Sequence, residues 1–501
     1  MLSVPAFAAD PMHFWNTPQR GANSFNGTPP DAEYFRALRG YGATWVRLTF
    51  SKWKSRERDF LFGSLDDYQR LVPEDLATLR RVLDDAHAAG LKVVVTPLSL
   101  PGSRWIQQNG NQFDDRLWND KRYWRQSAAF WRDLAGALEG HPAIAALNLI
   151  NEPVPERRGG LEEHSPPETM RAWYEKVRGG TRDLPALYAL LVAAVREVDA
   201  EVPVMLDGGF YAAADGWSYW PAPLRDDRLL YAYHMYEPWA ATSAPNIKRQ
   251  VPYRYPGRAP FGGTDVEWNA ARIESYLQQP VDWAKRHHVP MNRLVAGEFG
   301  CVRTWSDCPR YLEDVLAALE ADGVHWAFYA FREDTWDAMD YELGAGRLPW
   351  QYWEAQEKGK PYVLPRGPNT VFDPIMRRLA SGRPRCACRR DPGHGLRRCE
   401  DPHGRPRKVL RVARDEGITL RAAGRGGRDG VFEVLPAEPH RRTQDHVVHG
   451  GHIEDAQQRV GRVSGHADAH RARVQVVDGG HGMRRQQPFG ASLFHRRPDG
   501  G

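Results

Sequence analysis

Short apolar runs alternate with amphipathic stretches along the first 381 residues of this 501-residue chain. Arg20 to Asn26, Thr44 to Phe50, Leu91 to Pro97, Ala143 to Ile150, Val202 to Asp207, Leu229 to Tyr236, Leu294 to Gly300 and Val324 to Phe331 read as strands. They are rich in β-branched and aromatic residues and are bounded by turn formers. Helical patterns lie between most of them. In Pro73 to Ala89, Leu76, Leu79, Leu83 and Ala86 recur at spacings of three and four, and Gly90 ends the pattern. In Lys121 to Gly140, Trp124, Ala128, Trp131, Leu134 and Leu138 share one face, an aromatic stripe that reads as core. Asp31 to Gly40, Thr169 to Asp199 (broken at Gly179-Gly180), Ile273 to His288, Pro309 to Asp322 and Asn369 to Ser381 complete the series. Eight strands separated in this way predict parallel βαβ units and an α/β fold, a (β/α)8 TIM barrel. A doubly wound sheet is the alternative, but the turn from Gly21 to Asn26 lacks the GxGxxG spacing that would hold a phosphate. Residues 237–270 and Ala338 to Leu348 read as loops.

Two of the strands end in a glutamate. The run from Ala143 leads into Asn151-Glu152-Pro153, and the run from Leu294 leads into Glu298. Pro153 cannot donate to a ladder, so the strand stops there. In a parallel barrel the C-terminal lip is where catalytic groups stand. A lone strand-end glutamate is ordinary. Two facing one cleft make the pair that glycoside hydrolysis needs: one acid for the leaving oxygen and one nucleophile or base opposite it.

Arg47 stands on the second strand, Asn151-Glu152-Pro153 after the fourth, His234-x-Tyr236 on the sixth and Glu298 after the seventh. In this order the sequence resembles glycoside hydrolase family 5, the cellulase family of the retaining barrel clan, over roughly residues 11–381. The resemblance implies that Glu152 is the acid/base and Glu298 the nucleophile, with Arg47, Asn151, His234 and Tyr236 framing the sugar. It implies double displacement at β-glycosidic bonds of a glucan, mannan or glycolipid, with an oligo- or polysaccharide or glycolipid as partner, no cofactor, no metal, and a monomer. Two departures leave the sugar open. The family's histidine after the third strand is absent from Thr96-Pro97-Leu98-Ser99-Leu100. Its tryptophan on the eighth strand is replaced by Tyr329, with Trp326 just upstream, and both are taken as substrate-binding candidates. Arg47 and a hydrogen bond from Tyr236 would favour the ionised form of Glu298, while burial near that charge would keep Glu152 protonated. The bland readings are a structural ion pair for Arg47, a core hydrogen bond for His234 and, for the whole, a non-catalytic carbohydrate-binding barrel.

Charge separates the tail from the rest. Residues 383–501 carry 24 Arg and Lys against 14 Asp and Glu, so the formal net charge of +5 belongs to the tail. It gives no reason to expect nucleic acid on the main domain. The tail has no Trp or Tyr, one Lys (Lys408) and more than half of the histidines. It is expected to be disordered and without function, as a shifted reading frame of GC-rich DNA would be. Residues 11–382 then form the catalytic domain. Cys386, Cys388 and Cys399, with His394 and His403, do not have the spacing of a standard zinc finger. Cys301 and Cys308 are close enough in sequence to pair in an oxidising compartment, and two free thiols are the alternative. Ala6-Phe7-Ala8, within residues 1–10, resembles the end of a secretory signal without its charged and apolar regions; read as a remnant of one it implies a secreted or periplasmic location, and read as chance it leaves a cytoplasmic one as the alternative. No apolar run is long enough for a membrane span.

Overall fold

A computed structural model of the chain describes residues 10–381 in full and, beyond them, the backbone of a few short strands between 388 and 435. The chain divides into two units, the second being Pro384–Gln486. In the first, ten strands follow in chain order: β1 (Arg20–Ser24), β2 (Trp45–Thr49), β3 (Lys92–Thr96), β4 (Ile144–Asn148), β5 (Val204–Asp207), β6 (Leu229–Met235), β7 (Gly257–Phe261), β8 (Thr264–Trp268), β9 (Leu294–Phe299) and β10 (His325–Phe328). Eight of them close into a parallel barrel in the order β1-β10-β9-β6-β5-β4-β3-β2, the predicted architecture.

Alternation along each strand sorts the barrel into layers. Trp45, Val94, Ala146, Met205, Leu230, Ala232, Val295 and Ala327 form an apolar inner layer. A 3-10 turn, Pro11–Asn16, adds Met12 and Trp15 to it, and the Trp15 indole donates to the Ala145 carbonyl at 3.0 Å. Gly21 makes room for the largest member: a Cβ there would lie 2.6 Å from the Trp45 carbonyl oxygen. Two residues further along several strands the inward positions turn polar, which is where the site begins.

The outward positions pack against the helices in one large core. The aromatic stripe of Lys121–Leu138 belongs to it, with Trp131 fully buried. Its indole N–H donates to the Leu149 carbonyl at 3.0 Å, so this helix anchors the segment that carries Glu152. Helix Ala32–Tyr41 is capped as its sequence suggests: Asp31 accepts from the Tyr34 N–H, and Gly42 takes the left-handed conformation at the other end. Among the described residues no helix is long and apolar enough to cross a membrane.

The structure corrects one expectation, adds a helix and settles the state of one cysteine pair. Residues 237–270 are not all loop, because β7 and β8 pair there as an antiparallel hairpin. Gly262 and Gly263, both with positive φ, form its two-residue turn, and Pro260 inside β7 weakens the strand pattern. The helix Trp350–Glu357 went unread because it buries no residue and so shows no apolar face. Cys301 and Cys308 are disulfide-bonded, with Cα atoms 5.7 Å apart. In the second unit, Cys388–Arg390, Arg397–Glu400 and Pro406–Lys408 pair antiparallel, as do Thr419–Ala422 and Phe432–Leu435. The expectations for residues 1–9 and for the remainder of the tail lie outside the described residues.

Candidate active site

Above the apolar layer the barrel presents Asn23, Arg47, Asn148, Asp207 and His234 from five strands, all buried. Arg47 is the hub. Its Nε donates to Asn148 (2.9 Å), Nη1 to Glu298 Oε1 (2.6 Å) and Asn23 (3.2 Å), and Nη2 to Asn151 (2.8 Å) and Asp207 (3.2 Å). All five N–H groups of the guanidinium are therefore used, in a plane that lysine could not reproduce. The side chain has no solvent exposure, and neither have its two carboxylate partners.

Glu298 reaches this plane through an irregularity. Strict alternation from inward Val295 would place it on the outer face. The β6–β9 register shifts there, with Tyr233 opposite Ala296 but His234 opposite Glu298, so Gly297 is an extra residue. This bulge re-aims Glu298 into the mouth. A Cβ at 297 would lie 3.2 Å from His234 Nε2, so any other residue there would press on the imidazole. Glu298 then accepts from Arg47 on one oxygen and from the Tyr236 hydroxyl (2.8 Å) on the other. Burial nevertheless pushes its carboxyl up to about 7, with Asp207 repelling it, against the opposing pull of Arg47 and Tyr236. The two partners act in the direction expected from sequence, and full burial outweighs them.

Glu152 lies beyond the end of β4 with a left-handed backbone, φ 49°. A non-glycine residue there is strained unless something holds it. Asp207 does, accepting the Glu152 N–H at 3.1 Å while its other oxygen accepts from Asn148. Burial raises the Asp207 carboxyl, and Arg47 opposes this. His234 Nδ1 lies 2.9 Å from Glu152 Oε1, and burial, helped by the Arg47 charge, keeps the imidazole neutral. Asn151 gives its oxygen to Arg47 and leaves its buried Nδ2 without a partner. One guanidinium thus pairs with the carboxylates of Asp207 and Glu298, and Glu152 brings a third carboxyl group within 4.8 Å of Glu298, a surplus of acid that favours retaining a proton in the cluster.

Glu152, His234 and Glu298 bring one ligand-type atom each within 4.8 Å of one another, among the described residues the one such grouping. The Arg47 charge bonded to Glu298 opposes a cation there. Arg47, Asn151, Glu152, His234, Tyr236 and Glu298 therefore meet in one mouth. Tyr329 joins them from β10's end, two residues past inward Ala327 and buried. Trp326 does not. Its parity is opposite to that of Ala327, and its ring packs 5.8 Å from Phe299 in the outer core. Thr96 stands at the end of β3, buried, its hydroxyl without a partner. Asn23, Asn148 and Asp207 were missed. The signal was available: each is the polar residue that follows an inward apolar position at a strand end.

A family model described as cellulase, glycosyl hydrolase family 5, matches residues 11–335. Among solved structures, the Pseudomonas stutzeri endoglucanase Cel5A in complex with cellobiose is 18% identical, covering 72% of this chain and 92% of its own, with a TM-score of 0.47. A hyperthermophilic endo-β-1,4-glucanase in complex with substrate is 15% identical, covering 74% and 99%, at 0.48. Thermotoga maritima Cel5A in complex with mannotriose is 14% identical, covering 66% and 95%, at 0.46. No curated protein sequence matches the chain.

Proposed function

The chain belongs to glycosyl hydrolase family 5, the cellulase family, and on that premise we propose that it cleaves β-glycosidic bonds with retention, Glu298 as nucleophile and Glu152 as acid/base. The observation that carries the reading is the spacing of the pair. Oxygens of the two carboxyl groups lie within 4.8 Å, in keeping with the ~5–5.5 Å of retaining pairs and short of the ~6.5–9.5 Å that admits a water between them.

The asymmetry of the partners supports the roles. Glu298 is held by two donors, which fit an anion attacking the anomeric carbon. Glu152 is positioned by a neutral imidazole and by a backbone that Asp207 fixes. As Glu298 bonds to the anomeric carbon, Glu152 gives its proton to the leaving oxygen. With Glu298 esterified, Glu152 takes a proton from water, which attacks the same carbon and restores Glu298. Asn151 Nδ2, unpartnered, is a donor for the hydroxyl next to the reacting carbon, a contact that strengthens as charge develops. The substrate is a glucan, mannan or related β-glycoside. The non-catalytic alternative gains nothing from the family or from the complete pair. The Cys301–Cys308 bond suits a secreted or periplasmic protein; the same peptide isolated reduced from the native host would count against that location.

Proton NMR of the anomeric signals early in hydrolysis tests the mechanism. A first-formed β sugar is expected, and an α sugar would end the double-displacement reading. With an activated aryl glycoside, azide should speed the stalled second step of Glu152→Ala and give a retained β-glycosyl azide. Rescue of Glu298→Ala to that retained product would reverse the assignment.

A further inference from the structure

Two backbone segments at the acid/base stand in a conformation that L-residues avoid. Glu152 itself is one, at φ 49°. The other is the turn Gly209–Ala212, where Phe210 (φ 51°, ψ 52°), Tyr211 (φ 57°, ψ 35°) and Ala212 (φ 59°) are left-handed in succession. Residues held in this way are strained, persist only where the surroundings over-determine them, and gather at active sites.

Glu156 holds the turn. It lies four residues past Glu152 in the same loop and is only 1% exposed. Its Oε2 accepts the Phe210 N–H (3.1 Å) and its Oε1 the Tyr219 hydroxyl (2.6 Å). Both donors are uncharged, and burial lifts the carboxyl to about 7 against their pull. A second tie joins the same two segments: the Tyr211 N–H donates to the Pro153 carbonyl (3.3 Å). Glycine makes the close approach possible, since a Cβ at Gly209 would collide with Glu156 Oε1 and with the Tyr219 hydroxyl. The turn borders both groups that hold Glu152. Asp207, which accepts the Glu152 N–H, ends β5 two residues before Gly209. Ala213, the residue after the turn, bridges in parallel to His234, whose Nδ1 faces Glu152.

We propose that Glu156 is the positioning residue of the acid/base: by fastening the left-handed turn after β5 to the loop after β4, it sets where the Glu152 carboxyl stands relative to the leaving oxygen. Its own carboxyl is occupied by two donors and is not spent on the reaction. Burying a carboxylate among neutral donors is costly, so the position is explained by what it holds. Two donors converge on it, and a side chain that accepts there keeps the turn. Gln can do so, its carbonyl oxygen taking the Phe210 N–H and its NH2 facing the Tyr219 oxygen. Leu cannot, and it leaves a buried N–H and a buried hydroxyl bare. The proposal rests on the glycosidase reading above and adds to it a residue that acts through Glu152.

The test compares kcat/KM, which reports the first bond cleavage, on phenyl and 2,4-dinitrophenyl β-cellobiosides and β-mannobiosides. The dinitrophenyl group leaves with little protonation, so its rate senses the acid only weakly. In the full chain, Glu156→Leu should lose about 100-fold on the phenyl substrates and less than about 3-fold on the dinitrophenyl ones. Glu156→Gln should recover most of the phenyl rate. A loss of folded enzyme would lower both substrates alike. Should Glu156→Leu fold poorly, Tyr219→Phe, which removes one of the two donors, should show the same selective loss at about 10-fold. Equal losses on both substrates, no loss, or a Gln variant as poor as Leu would overturn the positioning. If the wild-type protein cleaves no β-glycoside, the glycosidase reading fails by itself, and crystal structures of the wild-type and Tyr219→Phe proteins decide the positioning. A Glu152 carboxyl displaced by about 0.5 Å or more with the turn relaxed supports it, and an unmoved Glu152 overturns it.

Discussion

Replacing Glu298 by Gln should make the protein more stable at pH 8 and leave it unchanged near pH 4. In the folded state burial lifts this carboxyl to about 7, whereas an unfolded chain would titrate it at its ordinary 4.5. Below the lower value both states hold the proton and the group contributes nothing. Between the two, only the unfolded state releases it, so stability falls as pH rises. Above 7 the full cost of a buried charge is present, roughly 3 kcal/mol from the gap between the two values. Gln keeps the shape without the charge: its amide oxygen can face Arg47 and its NH2 the Tyr236 oxygen. Unfolding entropy is about 2.1 cal/mol/K per residue, so for a barrel of about 370 residues this is roughly 4 °C in Tm. Scanning calorimetry of both proteins at pH 4 and pH 8 measures it. A Glu298→Gln protein that melts with or below the wild type at pH 8, or whose gain is the same at both pH values, would refute the argument that Glu298 is held at a cost to stability.

The same value implies that wild-type kcat/KM falls about tenfold per pH unit below about 7, as Glu298 gains its proton; a pH–rate profile flat down to 5 would contradict it. His164 bridges Asp215 (2.8 Å) and Glu237 (3.0 Å) with its side chain 7% exposed, and although burial opposes it, the two carboxylates raise the imidazole to about 10. Its stabilisation is therefore complete below about 6.5 and lost as pH rises through about 10, and His164→Leu, which removes the cation that both carboxylates face, should cost about 3–5 kcal/mol in denaturant unfolding at pH 7. Gly297→Ala should move His234 by a few tenths of an ångström and lower kcat by about tenfold or more, with Tm little changed; full activity would show that the bulge tolerates a side chain. Ending the chain after Ser381 should leave both Tm and activity intact, because the barrel closes by Phe328; a large fall in Tm would show that the basic tail supports it.

Local pattern determined a good deal of this protein. Alternation within each run and helical periodicity between runs are properties of neighbouring residues, so the eight barrel strands and their order could be read directly. The same alternation makes a polar residue at a strand's end legible; joined to the family resemblance, it identified Arg47, Asn151, Glu152, His234 and Tyr236. It also covered Asn23, Asn148 and Asp207, whose short polar side chains simply drew no notice. Tertiary structure decided the rest, because the deciding contacts join residues far apart in the chain. Arg47 meets Glu298 across 251 positions and Asp207 across 160, and no periodicity reports that one guanidinium will serve both. Parity separates Tyr329 from Trp326 only once Ala327 is known to face inward. The bulge at Gly297 reverses parity at the residue that matters most, and a one-residue slip leaves no mark on composition or spacing. Burial decided the state of Glu298, since a charge's cost depends on what surrounds it in three dimensions rather than on what precedes it in sequence.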